Sequence, residues 1–482
     1  VAVLAVDQGT SATKAVVVCP DRGVLAEVDV AVGGETRRGE RVEQDPEAVW
    51  TSVLDAGRAA LAQAGEPVDA VGVANQGETV LAWDTATGRP VTPALSWQDR
   101  SAAAATRALA ASPAGTWLPE LTGLPVDPYF AAPKMALLAG TLPAATPRSV
   151  RVTTLDAFLL ARLTGQYVTD VATASRTGLL DLDARAWSAR AGDAYGLDVA
   201  DQPTVVATDE TVGYTDAFGP RLAVAGVVVD QQAALFAQGC TQAGQAKCTY
   251  GTGGFLLATL GPVAVRSRAG LATSVAWAQR DGAAAYCADG QVYSVGAALS
   301  WLVSVGLLDG PGDLDARGLG VPDADGVLFV PALSGVGAPT WAPGARASLT
   351  GLGLGTTRAH VARAAAEGIA AQVALLVRAV GTDLGAPLRT LRVDGGLTRS
   401  RLLLQAQADL AGVVVEVYPH ACATALGVAA LALRARGGPG AEEAVTRGWS
   451  PAAVVEPSGE VDAAAELLAR YEAALADAVA RA

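Results

Sequence analysis

Three turns in this chain carry the residue types that hold phosphate. The apolar run Val1–Val6 ends in Asp7-Gln8-Gly9-Thr10-Ser11-Ala12-Thr13-Lys14, and a second apolar run follows at Ala15–Val18. Ala246–Tyr250 leads into Gly251-Thr252-Gly253-Gly254 and on to the apolar Phe255–Leu260. Leu391–Val393 leads into Asp394-Gly395-Gly396, then Ser400 and a helical stretch to Leu410. The first two read as strand, turn, strand. Backbone N–H groups and hydroxyls at such turns wrap phosphate oxygens. The third reads as a strand entering a helix N-terminus, an anion or ribose-phosphate site.

Phosphoryl transfer further needs a divalent cation against the phosphate charge and a carboxylate to take the acceptor's proton. Asp7, at the first strand's end, and Asp230, after the apolar Leu222–Val229, suit these tasks. Asp7 is the candidate Mg²⁺ ligand, and Asp230 the candidate base and a second metal-side carboxylate. An aspartate at a strand end also caps turns and helices, so the local pattern alone leaves both readings open.

Asn75-Gln76-Gly77-Glu78-Thr79 and Ser96-Trp97-Gln98-Asp99-Arg100 have the make-up of a polyhydroxyl site. Amides and carboxylates bond vicinal hydroxyls, and an indole covers the carbon face. A buried structural network would use the same residue types.

The elements needed to position these groups are legible. Pro46–Ala64 has Trp50, Val53, Leu54 and Leu61 at helical spacing, with proline suited to its first turn. His360–Val380 and Ala463–Ala480 have similar patterns. Short strands are expected at Ala70–Ala74, Val80–Trp83 and Val327–Pro331, and Asp309–Gly326 reads as a surface loop. Strands alternating with helices predict an α/β chain. A strand-turn-strand phosphate unit near the start and another past the midpoint predict two related lobes with a cleft between. No G-x-G-x-x-G joins the first strand to a helix, and no G-x-x-x-x-G-K-[ST] occurs, which excludes dinucleotide-binding and Walker-type readings.

With 482 residues, 51% of them hydrophobic and 17% charged, the chain has ample core material. A net charge of −13 and no basic stripe argue against a nucleic-acid partner. No uninterrupted apolar run reaches membrane-spanning length, so no membrane partner is expected. Five scattered cysteines without a C-x-x-C pair read as buried thiols in a reducing cytoplasm. Of 35 cationic side chains only Lys14, Lys134 and Lys247 are lysine. A position that keeps lysine in an arginine-rich chain is a candidate for a compact ammonium.

Taken together the motifs resemble those of FGGY-family carbohydrate kinases, and within them the glycerol kinase branch. The likeness rests on Asp7–Thr10, Asn75–Thr79, Asp127–Phe130, Asp230–Phe236, Ala246–Gly253, Gly337–Trp341, Ala347–Leu352 and Val393–Gly396, in family order over about nine-tenths of the chain. The resemblance implies an actin-like fold of two lobes (1–238 and 239–482), each built on a ribonuclease-H-like sheet. It implies ATP- and Mg²⁺-dependent phosphorylation of a sugar or polyol. By position Asp230 is the base and Asp7 the Mg²⁺-associated carboxylate. Thr10, Ser11 and Lys14 form the first phosphate hairpin. Gly251, Thr252 and Gly253 form the second, with Gly296 nearby, while Ser300, Gly395, Gly396 and Ser400 belong to the nucleotide side. Gln76, Gly77, Glu78, Trp97, Tyr129, Asp230, Gln231 and Phe255 fall at the acceptor. A homodimer or homotetramer is also implied.

Departures from that branch bear on the acceptor. Glycerol kinases carry an arginine, bonded to a glycerol hydroxyl, where this chain has Gly77. Its loss removes donors and is expected to open space. The expected acceptor is therefore a four- or five-carbon polyol or ketose such as xylulose, with glycerol poor. The rival reading is glycerol kinase itself, with Arg100 swinging in to replace the missing donor. A non-catalytic actin-like nucleotide binder or sugar sensor is the alternative of another class. Glu78, Trp97 and the Asp230-Gln231 pair argue against it.

Overall fold

The computed structural model describes residues 2–481. In the first lobe, β1 (Ala2–Gln8), β2 (Ala12–Cys19) and β3 (Gly23–Ala31) form an antiparallel meander. After helix α1 (Pro46–Ala64), strand β4 (Val68–Asn75) runs parallel to β1. Beyond an insertion, β5 (Thr211–Thr215) and β6 (Leu222–Val229) complete a mixed sheet of order β5-β6-β4-β1-β2-β3. Helix α2 (Asp230–Ala237) leaves the end of β6 directly.

The second lobe repeats this plan. Strands β7 (Ala246–Tyr250), β8 (Gly254–Gly261), β9 (Ala272–Ala278) and β10 (Ala284–Val292) precede helices α3 (Gly296–Ser304), α4 (Asp313–Gly318) and α5 (Arg358–Leu384). They are followed by β11 (Thr390–Asp394), α6 (Arg401–Ala411), β12 (Val414–Val417), α7 (Ala423–Gly437), β13 (Ala453–Val455) and α8 (Val461–Ala480). The sheet order is β9-β10-β8-β7-β11-β12-β13. In both lobes an antiparallel hairpin is followed by parallel strands. The parallel central strands are buried on both faces, which explains the unbroken apolar run of β6, all eight of whose residues are buried.

Each predicted helix is present: α1 has the expected bounds, and α5 and α8 extend slightly past theirs. Asp45 caps α1 by accepting from Glu47 N, with Pro46 in its first turn. One expectation is corrected. The stretch Asp309–Gly326 is not all loop; it contains α4, whose Leu314 is fully buried. By length and composition α5 is apolar enough to span a bilayer, but most of it lies inside the second lobe's core.

The lobes meet along α7. This helix belongs to the second half of the chain yet packs against β1, β4 and β6 of the first sheet. The contact is made by small residues. A Cβ added at Gly427 would stand 1.8 Å from the carbonyl oxygen of Ala233, and one at Gly226 would stand 2.6 Å from Ala432 N. Glycine at both positions lets backbone lie on backbone.

Candidate active site

Between the lobes lies a cavity of about 200 Å³. The first lobe lines it with Thr10, Ser11, Gln76, Gly77, Glu78, Trp97, Tyr129, Arg176, Val229, Asp230, Gln231 and Gln232. The second contributes Thr249, Gly251, Thr252, Gly253, Phe255 and Asp289. Both phosphate hairpins thus face the polyhydroxyl-type cluster, with Asp230 among them.

Asp230 opens α2 at the carboxyl end of β6, and its Oδ1 accepts from Gln231 N at 2.7 Å. Desolvation at the cleft floor, with Glu78 nearby, raises its pKa to about 6. Asp7 lies near the end of β1, directly across the ladder from Lys14. Desolvation, then the charge of Asp230, pushes its pKa up to about 8. A carboxylate raised by a second one in this way makes a place for a cation. No group of three His, Cys, Asp or Glu side chains converges among the described residues. A cation of Mg²⁺ type bound by one or two carboxylates, with phosphate oxygens and water completing its shell, fits that donor set.

The hairpin turns are close-fitted. Gly296 N donates to Gly251 O at 3.0 Å, and a Cβ at Gly296 would stand 2.7 Å from that oxygen. Gly395 has φ +96°, and a Cβ there would meet Tyr250 O at 2.4 Å. At both positions glycine lets the backbone segments pass this close.

At the acceptor end Glu78 stands in a left-handed conformation with φ 56°. Such a backbone is costly for a non-glycine residue and concentrates at functional sites. Its Oε1 accepts from Arg176 Nε at 2.6 Å, and Arg176 also pairs with Asp289 on β10. All three side chains are buried, so this ion-paired row ties Glu78 to the second lobe. Trp97 donates from Nε1 to Thr10 Oγ1 at 2.8 Å. Its ring meets Phe255 and Tyr129 edge-on, with centroids 5.5 and 6.2 Å away. Gln231 Oε1 accepts from Lys247 Nζ, which also donates to Thr249 Oγ1 at 2.9 Å. That arrangement leaves the Gln231 NH₂ as a donor toward the cavity.

Several expected residues take other places. Lys14 pairs with Glu27 at 2.6 Å and Asp29 at 3.2 Å on β3, so it is no free charge at the hairpin. Gln76 spends its amide on Gln8, Gln44 and Thr79. Ser300 is exposed and bonds back to Gly296 O within α3. Ser400 caps α6, and Asp315 of α4 accepts from Ser400 Oγ, Arg401 N and Leu402 N. A carboxylate already occupies that helix N-terminus, which corrects its reading as an anion site. Arg100 lies outside the cavity lining. It donates to the carbonyls of Trp97 and Asp99, and its guanidinium stacks 4.6 Å from the Tyr293 ring centre.

Arg176, Val229, Gln232, Thr249 and Asp289 line the cavity without being among the expected site residues. Arg176 is isolated among small residues, and Asp289 sits within a strand, where alternation alone gives no sign of chemistry. Lys134, one of the three lysines, has a structural place. Fully buried, it donates to the carbonyls of Pro128 and Tyr129 and so fixes the turn carrying Tyr129. Burial lowers its pKa to about 7.

Comparison with known proteins fits this arrangement. Residues 2–237 match the N-terminal domain, and residues 246–436 the C-terminal domain, of the FGGY family of carbohydrate kinases. The chain belongs to the FGGY family of carbohydrate kinases. Among its curated relatives is a glycerol kinase of Thermus brockianus, 41% identical over 437 residues that cover 88% of either chain. Another is a glycerol kinase of Bordetella parapertussis, 39% identical over 98% of this chain and 96% of the relative. In structure this FGGY kinase is similar to Plasmodium falciparum glycerol kinase with ADP. The TM-score is 0.89 at 26% identity, over 99% of this chain and 98% of the other. The xylulose kinase of Lactobacillus acidophilus shares the fold, with a TM-score of 0.88 at 20% identity over 100% and 99% of the two chains. As an FGGY kinase it is a phosphotransferase with an alcohol acceptor, using ATP and Mg²⁺.

Proposed function

We propose that this kinase phosphorylates a terminal hydroxyl of a four- or five-carbon polyol or ketose in preference to glycerol. The observation that carries the reading is Gly77. No guanidinium reaches the acceptor from that position, and Arg100, the candidate substitute, is engaged behind Tyr129. A three-carbon polyol forgoes a charge-assisted bond there, about 1.5–3 kcal/mol, or roughly ten- to a hundredfold in affinity. A longer chain gains partners further along the same cavity, where Gln232, Arg176 and Asp289 contribute to the wall. The expected opening at Gly77 is narrower than its missing side chain suggests, because Val229 borders it.

In this reading the Asp230 carboxylate accepts the proton of the attacking hydroxyl. Glu78 and the Gln231 NH₂ hold neighbouring hydroxyls, and Trp97, Tyr129 and Phe255 cover the carbon face. Thr10, Ser11 and Gly251–Gly253 hold the phosphates, and Asp7, with Asp230 beside it, would hold Mg²⁺. ATP with Mg²⁺ supplies the transferable phosphoryl group and neutralises its charge. The lobes divide at 238/239, and the enzyme works as a cytoplasmic homodimer or homotetramer. All five cysteines are free and buried, in keeping with a reducing compartment.

A second reading, glycerol as acceptor, is favoured by the names of the curated relatives. A coupled ADP-release assay across glycerol, tetritols, pentitols and ketopentoses decides between them. The highest kcat/KM is expected on a four- or five-carbon acceptor; the highest kcat/KM on glycerol overturns the reading.

A further inference from the structure

Val229 is the last residue of β6, immediately before Asp230, and is 2% exposed. Gly77 follows the end of β4 by two residues. The two strands are parallel neighbours, with Val229 registered opposite Asn75. A Cβ built on Gly77 would stand 2.9 Å from Val229 Cγ2, closer than side-chain carbons approach one another. Gly77 is not among the residues with positive φ, so its backbone does not itself call for glycine.

Neither partner is free to give way. Gln76 N donates to Gln8 O at 2.9 Å and Thr79 N to Gly77 O at 2.8 Å, pinning the loop on both sides. Valine is stiff at χ1, and its backbone is fixed between the β6 ladder and the first turn of α2. Both residues line the acceptor cavity next to Glu78. One wall of that cavity is therefore carbon where a polar side chain from position 77 would otherwise emerge.

We propose that Val229 sets the acceptor length on the Gly77 side of the cavity, and that its methyl group obliges glycine at position 77. This rests on the acceptor occupying the cavity as described above. A hydrophobic wall of this kind discriminates by about ten- to two-hundredfold per methylene.

The test is a cycle of Gly77→Ala, Val229→Ala and the double variant, assayed for kcat/KM on three-, four- and five-carbon polyols. Gly77→Ala is expected to lose about tenfold or more on every acceptor. Val229→Ala is expected to raise the five-carbon to three-carbon ratio about tenfold. The double variant is expected to recover most of what Gly77→Ala lost. Val229→Ile moves the ratio the other way and keeps the test available should Val229→Ala fold poorly. The inference is overturned if Gly77→Ala behaves as the wild type, if the double variant's loss is the product of the single losses, or if neither change at Val229 moves the ratio more than twofold. A wild-type enzyme that prefers glycerol overturns the acceptor reading instead, and leaves the coupling of the two positions to be judged by the cycle.

Discussion

Trp97 Nε1 lies 2.8 Å from Thr10 Oγ1, so the indole proposed to cover the acceptor's carbon face also holds the hydroxyl of the first hairpin turn. In the proposed reading this one hydrogen bond couples the two substrates. Trp97→Phe keeps the ring and removes the donor. A neutral hydrogen bond contributes about 0.5–1.5 kcal/mol. Initial-rate kinetics with both substrates varied should show each KM rising roughly two- to tenfold. A change confined to the acceptor KM would mean that the bond transmits nothing to ATP.

Asp230 must be ionised to take a proton. With its pKa raised to about 6, kcat/KM for the acceptor should fall as pH drops through 6, approaching tenfold per unit below. Asp230→Asn should remove that limb and lower turnover by on the order of a hundredfold or more, with ATP binding retained by calorimetry. Ordinary turnover in the purified variant would remove Asp230 from the base role.

Asp7 is raised further still. Its folded pKa, near 8, is above the ordinary carboxylate value. Its titration therefore favours the folded state fully at low pH, and that contribution is lost as pH rises through 8. Asp7→Asn should raise the unfolding midpoint of the ligand-free protein at pH 8 by a few degrees while abolishing activity. It should also abolish the further stabilisation that Mg²⁺ with a non-hydrolysable ATP analogue gives the wild type. Unchanged Mg²⁺ dependence would place the cation elsewhere.

Arg176 is the buried counter-charge of both Glu78 and Asp289. Arg176→Met should destabilise by about 3–5 kcal/mol in urea unfolding, because two carboxylates are left without a partner. Arg176→Lys should recover only part of that loss, since one ammonium does not reproduce a planar fork that reaches both. Full recovery by lysine would show that charge alone matters.

Much of this site could be read from residue types. The strand-turn-strand units stood out because glycine and hydroxyl residues interrupt apolar runs, and Asp230 because it ends one. Local pattern failed where a partner far along the chain decides the outcome. Asp315, 85 residues before Ser400, fills the helix N-terminus that the Gly-Gly turn advertised. Lys14 was drawn to Glu27 and Asp29 by a third strand whose register the turn does not reveal. Lysine scarcity was a sound clue, but it pointed best to the two lysines whose ammonium groups are sealed in. Lys247 and Lys134 each bond two neutral oxygens in spaces closed to water.

The seam along α7 bears on how the cleft works. Interlocking side chains resist sliding, because each must leave its socket before its neighbour can move. At Gly427 and Gly226 backbone lies on backbone without such teeth, while Leu426, Val428 and Leu431 of α7 are buried in the same seam. The motion expected there is a small roll of one lobe on the other. The seam is a bearing, and the mouth of the cleft is the far end of its lever. Small-angle scattering should accordingly show compaction when acceptor and a non-hydrolysable ATP analogue bind together. The water-excluding grip on the two substrates would then come at the mouth, with the packing of α7 on the first sheet left in place.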